Sequence, residues 1–221
     1  GRAMPLGLPD MSKENVTTIV GWLEAGAAGP SAEAQKAIAR PTNQAAIDDW
    51  EDFLNPELSD TRGRLISRYL YEHLFFAHLH FERSEGEFYR LVRSKTRTGT
   101  IEEIVTERAF DKPRQSTFYY RLKKYTAVLV AKSHVSWELS PATMARWQEL
   151  FYDASWTMAD NKDIYDAKSK NPFAYFAAIP PNIRARFMIE HSREMVDAMV
   201  RGSVCTGSGA TFAIRDRFWV W

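Results

Sequence analysis

Three histidines crowd into the stretch YEHLFFAHLHFE: His73, His78 and His80. On a helix, residues five apart point about 140° away from each other, so His73 and His78 cannot share a metal ion there. With the chain extended after Ala77, His78, His80 and Glu82 fall on one face and offer a facial metal set of two imidazoles and a carboxylate. The alternative is a group of histidines hydrogen-bonded within a core. His134, in VAKSHVSWEL, stands alone, and a structural role competes there with a catalytic one. Cys205 is the only cysteine, so the chain forms no internal disulfide and no four-cysteine zinc site. Its Gly- and Ser-rich loop, RGSVCTGSGA, fits no phosphate-loop pattern. A nucleophilic thiol needs a neighbouring base or cation to depress its pKa. Arg201 supplies a nearby cation, and an inert structural thiol is the alternative.

Aromatic and basic residues intermingle twice, in FYRLVRSKTR and in PFAYFAAIPPNIRAR. Such mixtures suit a membrane interface, where rings sit at headgroup depth and Arg meets phosphate. They also suit single-stranded nucleic acid, or a solvated helix face beside a core strand. Charge bears on this choice. Lys and Arg number 29 against 28 Asp and Glu in 221 residues, a net charge of +1. A domain built chiefly to hold nucleic acid carries a strong basic excess, so no nucleic-acid partner is expected. Apolar residues make up 45 % and charged residues 26 % of the chain, the balance of an ordinary globular protein. No apolar run approaches a membrane span, and no charged-then-apolar leader precedes the first residues.

The elements that must position these groups follow from periodicity. Ser12 stands where an N-cap belongs, ahead of KENVTTIVGWLEAG, in which Val16, Ile19, Val20 and Leu23 recur at helical spacing and Gly26 ends the helix. Two shorter helices are predicted at 32–40 and 43–54, the second with Ile47, Trp50 and Leu54 as its buried stripe. Asn55-Pro56 breaks the chain, and Ser59 caps a longer helix over 60–77. There Ile66, Leu70 and Leu74 repeat every fourth residue. FYRLVRS (88–94) and FYYRLKKYTAVLVAKSHVSWEL (118–139) are dense in aromatic and β-branched residues and read as strands. The stretch 101–111 reads equally as helix or strand. Ser140-Pro141 starts a helix with Met144, Trp147, Leu150 and Phe151 on one face. Asn171-Pro172 opens a short aromatic helix and Pro180-Pro181 a long one, with Ile183, Phe187, Val196 and Met199 on its buried side. The predicted fold is mainly α (α+β): a helical domain with a small antiparallel sheet from the middle segments, closed by the final strand, RFWVW. Stopping on such a strand reads as a cut in a longer chain.

Met4-Pro5 in the loop GRAMPLGLPDM, followed by Ser12 and a helix ending IVGWLEAGA, is similar to the last part of a c-type cytochrome domain. In that family the Met thioether supplies the sixth heme ligand. The heme-attachment signature C-x-x-C-H does not occur in the chain. Four stretches together resemble the bacterial fatty acid cis–trans isomerase family: SRYLYEHLFFAHLHFE (67–82), FYRLVRSKT (88–96), FYYRLKKYTAVLVAKSHVSWEL (118–139) and RGSVCTGSGATFAIRDRFWVW (201–221). Where the family pattern has R-G-P-V-C-R-G, Ser203 and Thr206 replace the Pro and the second Arg.

The resemblance implies a periplasmic enzyme carrying a covalent heme c that converts cis double bonds of membrane phospholipid acyl chains to trans when the membrane becomes too fluid. Its partners are then acyl chains at the membrane surface, and no protein partner is expected. It further implies two parts, 1–30 as the C-terminal part of a cytochrome c-like region and 31–221 as an isomerase-family domain cut at its C-terminus. A piece without the attachment cysteines is not expected to bind heme by itself. The polar members of the resembling motifs form the expected site: Arg68, Tyr71, Glu72, His73, His78, Lys132, His134, Arg201 and Cys205. The histidines are expected as ligands or proton partners, Arg201 near a phosphate or heme propionate, and Met4 as axial heme ligand. His191 is given no role. The alternative is a cytochrome-linked electron-transfer module, or a metal- or membrane-binding module, without catalysis of its own.

Overall fold

The computed structural model describes residues 11–201 apart from 83, 85, 128, 130–134, 159–163 and 166–173, and for 194–201 the backbone alone. Helix α1 (Lys13–Glu24) starts where predicted, with the Ser12 hydroxyl accepting the Asn15 N–H at 3.2 Å. It ends at Gly26, whose φ of +87° is a conformation that only glycine adopts freely. Helix α2 (Ala32–Ala39) is capped in the same way by Ser31. Neither helix buries a residue. The apolar stripe of α1 is therefore exposed, from 42 % at Ile19 to 56 % at Leu23.

The core begins with α3 (Gln44–Leu54), whose Ile47, Trp50 and Leu54 are buried as the spacing predicts. Helix α4 (Thr61–Leu74) follows, and its cap is Asp60 rather than Ser59. The Asp60 carboxylate accepts the Gly63 N–H at 2.8 Å, and a negative charge suits the positive end of the helix better than a hydroxyl does. Gly63 permits this closeness: a Cβ there would lie 2.3 Å from Asp60 Oδ2. Ile66, Leu70 and Leu74 are fully buried. The helix stops at Leu74, short of the predicted 77, because the chain turns at Phe75-Phe76 and becomes extended.

Four strands form the sheet: β1 (His78–Phe81), β2 (Tyr89–Ser94), β3 (Tyr119–Lys124) and β4 (Ser136–Leu139), in the order β3-β2-β1-β4. Pairs β1–β2 and β2–β3 are antiparallel, whereas β4 runs parallel to β1 with His78 opposite Ser136. The sheet is thus mixed, correcting the expected antiparallel one. The connection from β3 to β4 is too long for a hairpin and returns the chain across two strands before it pairs. The 101–111 stretch is neither helix nor strand but a loop, tied to β2 by an isolated bridge from Ser94 to Glu103 and by the backbone bonds Lys95 N–H to Glu102 and Ile104 N–H to Arg93 at 3.0 and 2.8 Å. The final strand expected at 217–221 lies outside the described residues.

Helix α5 (Pro141–Trp147), capped by Ser140, continues into a π-helical segment, Gln148–Asp153. Arg62 of α4 satisfies the end of that segment, donating to the carbonyls of Phe151, Tyr152 and Ala154 at 2.6, 3.0 and 3.1 Å. The predicted aromatic helix is a 3-10 turn, Ala174–Ala178, and the long one is α6 (Pro181–Arg201). Ile183 and Phe187 are buried as expected; the side chains of Val196 and Met199 lie outside the described residues. One apolar cluster joins α3, α4, the sheet, α5 and α6. No helix among the described residues is long and apolar enough to cross a membrane.

Candidate functional site

Helix α4 carries four of the expected residues and sends them in three directions. Arg68 and Glu72, four apart, pair at 2.9 Å with both side chains buried. The Arg68 guanidinium also donates to the Ile164 carbonyl and lies over the rings of Tyr165, at 4.0 Å, and Tyr175, at 4.6 Å. Such pairing is what makes a buried charge tolerable.

His73 faces the other way, toward α6. Its Nδ1 lies 2.8 Å from the Tyr69 carbonyl, which can only accept, so Nδ1 carries the proton. The ring is enclosed by Tyr69, Phe187 and His191, with centroids at 4.3, 5.2 and 5.4 Å. His191, to which the sequence gave no role, is fully buried and packs against Trp137 at 4.7 Å.

Tyr71 points to a third place, the floor of a cleft of about 310 Å3 between α4, β2 and the 103–106 loop. His78, from β1, lines the same cleft beside Tyr125, with ring centroids 5.2 Å apart. Phe75, Ala77, Leu91, Val92 and Ile104 give it apolar walls. Glu103 at its edge is held by Lys123 at 2.7 Å and Arg90 at 3.4 Å.

Below Tyr71 lies Arg93, fully buried on β2. Its guanidinium donates to the carbonyls of Ala109 and Asp111 at 2.6 and 2.9 Å and to the Tyr165 hydroxyl at 2.9 Å. It sits 4.5 Å from the Tyr71 ring. No carboxylate pairs directly with it among the described residues. Burial pushes the Tyr71 phenol up to about 12 against the opposing pull of Arg93. Burial likewise raises the fully enclosed Tyr120 phenol well above its usual value. Arg93 is itself raised: burial works against its charge, but the surrounding Tyr120, Tyr165 and Tyr71 outweigh it. The floor therefore presents a neutral phenol beside a permanent cation. Tyr71 can donate a hydrogen bond but is no base near neutral pH.

The structure thus brings Tyr71 and His78 to one cleft, places Arg68 and Glu72 behind it through Tyr165, and sets His73 apart. Lys132, His134, Cys205 and Met4, with the side chain of Arg201, lie outside the described residues. Sequence reasoning missed Arg93 and Tyr165. A signal existed for Arg93: strand alternation puts it on the same face as Tyr89 and Leu91, both buried. Tyr165 carried none, being in an irregular stretch.

His78 and His80 do lie on an extended strand, yet Glu82 falls beyond its end, and no group of three potential metal ligands occurs among the described residues. Nor do the described residues attach a covalent heme: the chain has no C-x-x-C-H, and His73 is 1 % exposed, with Tyr69, Phe187 and His191 around its ring. The family model described as fatty acid cis/trans isomerase (CTI) matches residues 1–221. Neither a curated protein nor a solved structure matches the chain.

Proposed function

Since the chain belongs to the fatty acid cis/trans isomerase family, we propose that the cleft over Tyr71 and Arg93 receives the unsaturated segment of a phospholipid acyl chain, which leaves with its double bond trans. One observation carries this assignment. The cleft is the place where two of the motif stretches, 67–82 and 88–96, build apolar walls over a polar floor. Its volume of about 310 Å3 lies within the usual range of ligand pockets.

The reaction adds and removes no atoms. The protein must hold an apolar chain away from water, lower the order of one C=C bond for a moment, and leave room for rotation. Phe75, Leu91, Val92 and Ile104 serve the first need. Arg93 constrains the second: a fixed cation raises the energy of a carbocation beside it and favours electron-rich species. Protonating the alkene in this cleft is therefore disfavoured, and Tyr71 acts by orienting rather than by giving up a proton. Arg68 and Glu72 hold Tyr165, which in turn fixes Arg93 through its hydroxyl.

Heme c, a periplasmic location and a response to membrane-fluidising stress belong to the same proposal by family resemblance. The test is the trans-to-cis ratio of phospholipid fatty acids, by gas chromatography, in cells expressing the full-length protein and challenged with solvent. The host lacks such an isomerase and makes c-type cytochromes. A rise in trans acids is expected. No rise, with the protein exported and heme-loaded, overturns the proposal.

A further inference from the structure

Val105 is 82 % exposed, more than any other large apolar side chain among the described residues. It lines the cleft on one side and, on the other, a second groove of about 470 Å3 that includes Lys95, Lys112 and Arg114. Phe76, 37 % exposed, is a second apolar side chain at the cleft. Between Arg90 and Lys123 the chain has nine Lys and Arg, of which Arg93 and Arg121 are buried. Seven cations thus reach solvent against four carboxylates, Glu102, Glu103, Glu107 and Asp111. The whole chain has a net charge of only +1, so this stretch is more basic than the chain as a whole.

An apolar side chain projecting from a cationic surface is the arrangement that binds a bilayer interface. The apolar group enters below the headgroups while Lys and Arg meet the phosphates. We propose that the 95–118 loop docks the protein on an anionic phospholipid bilayer, with Val105 inserted and Lys112 and Arg114 on headgroup phosphates. The open side of the cleft then faces the lipid from which an acyl chain would enter. Lys95–Glu102 at 3.7 Å is exposed on both sides and exchanges readily for lipid phosphate, and the Arg108 side of its 3.2 Å pair with Asp111 is exposed as well. The most exposed group on this surface, Val105, is aliphatic and suits an acyl interior, whereas single-stranded nucleic acid is held by ring stacking. The purpose of the docking rests on the acyl-chain reading of the cleft, but its evidence does not.

The experiment is co-sedimentation of the full-length holoprotein with vesicles of phosphatidylcholine alone and with vesicles that also contain phosphatidylglycerol. Salt-sensitive binding to the anionic vesicles is expected. The double variant Lys112→Glu, Arg114→Glu is expected to weaken it at least twentyfold, at about fivefold for each cation removed. Val105→Asp weakens it on the order of tenfold, while Ile19→Asp on the exposed face of α1 leaves it unchanged. Isomerisation of detergent-dispersed phospholipid by the double variant stays at the wild-type rate. Equal binding to both vesicle types, or loss in Ile19→Asp with none in Val105→Asp, overturns the proposal. Release from the vesicles by a single-stranded oligonucleotide that binds more tightly also overturns it. Absent vesicle binding with dispersed lipid still isomerised defeats the docking alone. Normal docking without isomerisation defeats the cleft assignment alone.

Discussion

Helix α4 buries eleven of its fourteen residues, whereas α1, twelve residues long and with its own side-chain cap and apolar stripe, buries none. The difference lies in what surrounds them. α4 is flanked by β2 on one side and by α6 and the 174–178 turn on others, so Tyr69, Tyr71 and even Arg68 are enclosed along with the leucines. α1 is followed by a short AAGP stretch and meets nothing comparable among the described residues. A periodic stripe thus says that a face is apolar; what covers that face depends on residues far away in sequence.

Replacing Arg121 with Met tests the buried region hardest. Arg121 pairs with Glu51, each side chain no more than 10 % exposed, and Glu51 also accepts the Leu122 N–H at 2.8 Å. Stranding that carboxylate should cost about 3–5 kcal/mol in chemical denaturation, with much of it recovered by adding Glu51→Leu. Burial already raises the Glu51 pKa despite its hydrogen bonds. A carboxylate raised in the folded state favours folding most when protonated, so the loss in Arg121→Met shrinks as pH falls through the raised folded pKa toward the ordinary 4.5.

Leu70→Ala, at a fully buried position, should cost about 2–5 kcal/mol in the same assay. Leu23→Ala, at 56 % exposure on α1, should stay within about 0.5 kcal/mol. A large loss at Leu23 would show that α1 is covered after all, and would break the contrast.

Glu87 sharpens the contrast where the two regions meet. Its carboxylate takes Lys124 at 2.6 Å and the N–H and hydroxyl of Thr42, while Lys124 also reaches the Arg40 carbonyl just past α2. Burial pushes the group up, but Lys124, Tyr89 and Thr42 prevail and hold it at about 2, below its ordinary 4.5. Its stabilisation is therefore present above about pH 4.5 and lost as pH falls toward 2. Acid titration of Glu87→Gln, followed by circular dichroism, should show a shallower loss over that window; an unchanged profile removes Glu87 as the acid-sensitive tie. This is a smaller effect than either core substitution.

Most helices were legible because Ser12, Ser140, Gly26 and the Ile66-Leu70-Leu74 spacing are local signals. The cap at Asp60 was not, since Ser59 offers the same chemistry one residue earlier. The parallel β1–β4 pairing was not legible either, because nothing local specifies the direction in which a distant strand returns. At the cleft, Tyr71 and His78 could be named from their motifs, whereas Arg93 was missed although alternation along β2 puts it on the face of Tyr89 and Leu91. That Arg68, Glu72, Tyr165 and Arg93 form one chain of contacts was hidden, because it joins residues up to 97 positions apart, from Arg68 to Tyr165. The separation of His73 from Tyr71, only two residues away on α4, follows from helix geometry once each face has a neighbour.

The most direct test fills the cleft. Ile104→Trp in the full-length heme-loaded protein places a large ring in the cleft wall, from a half-buried loop position. Ile38→Trp on the exposed side of α2 serves as the control. With both variants at wild-type levels and stability, the trans-to-cis ratio after solvent challenge should fall to background in Ile104→Trp and stay at the wild-type value in Ile38→Trp. A wild-type ratio in Ile104→Trp would contradict the assignment of the acyl chain to this cleft.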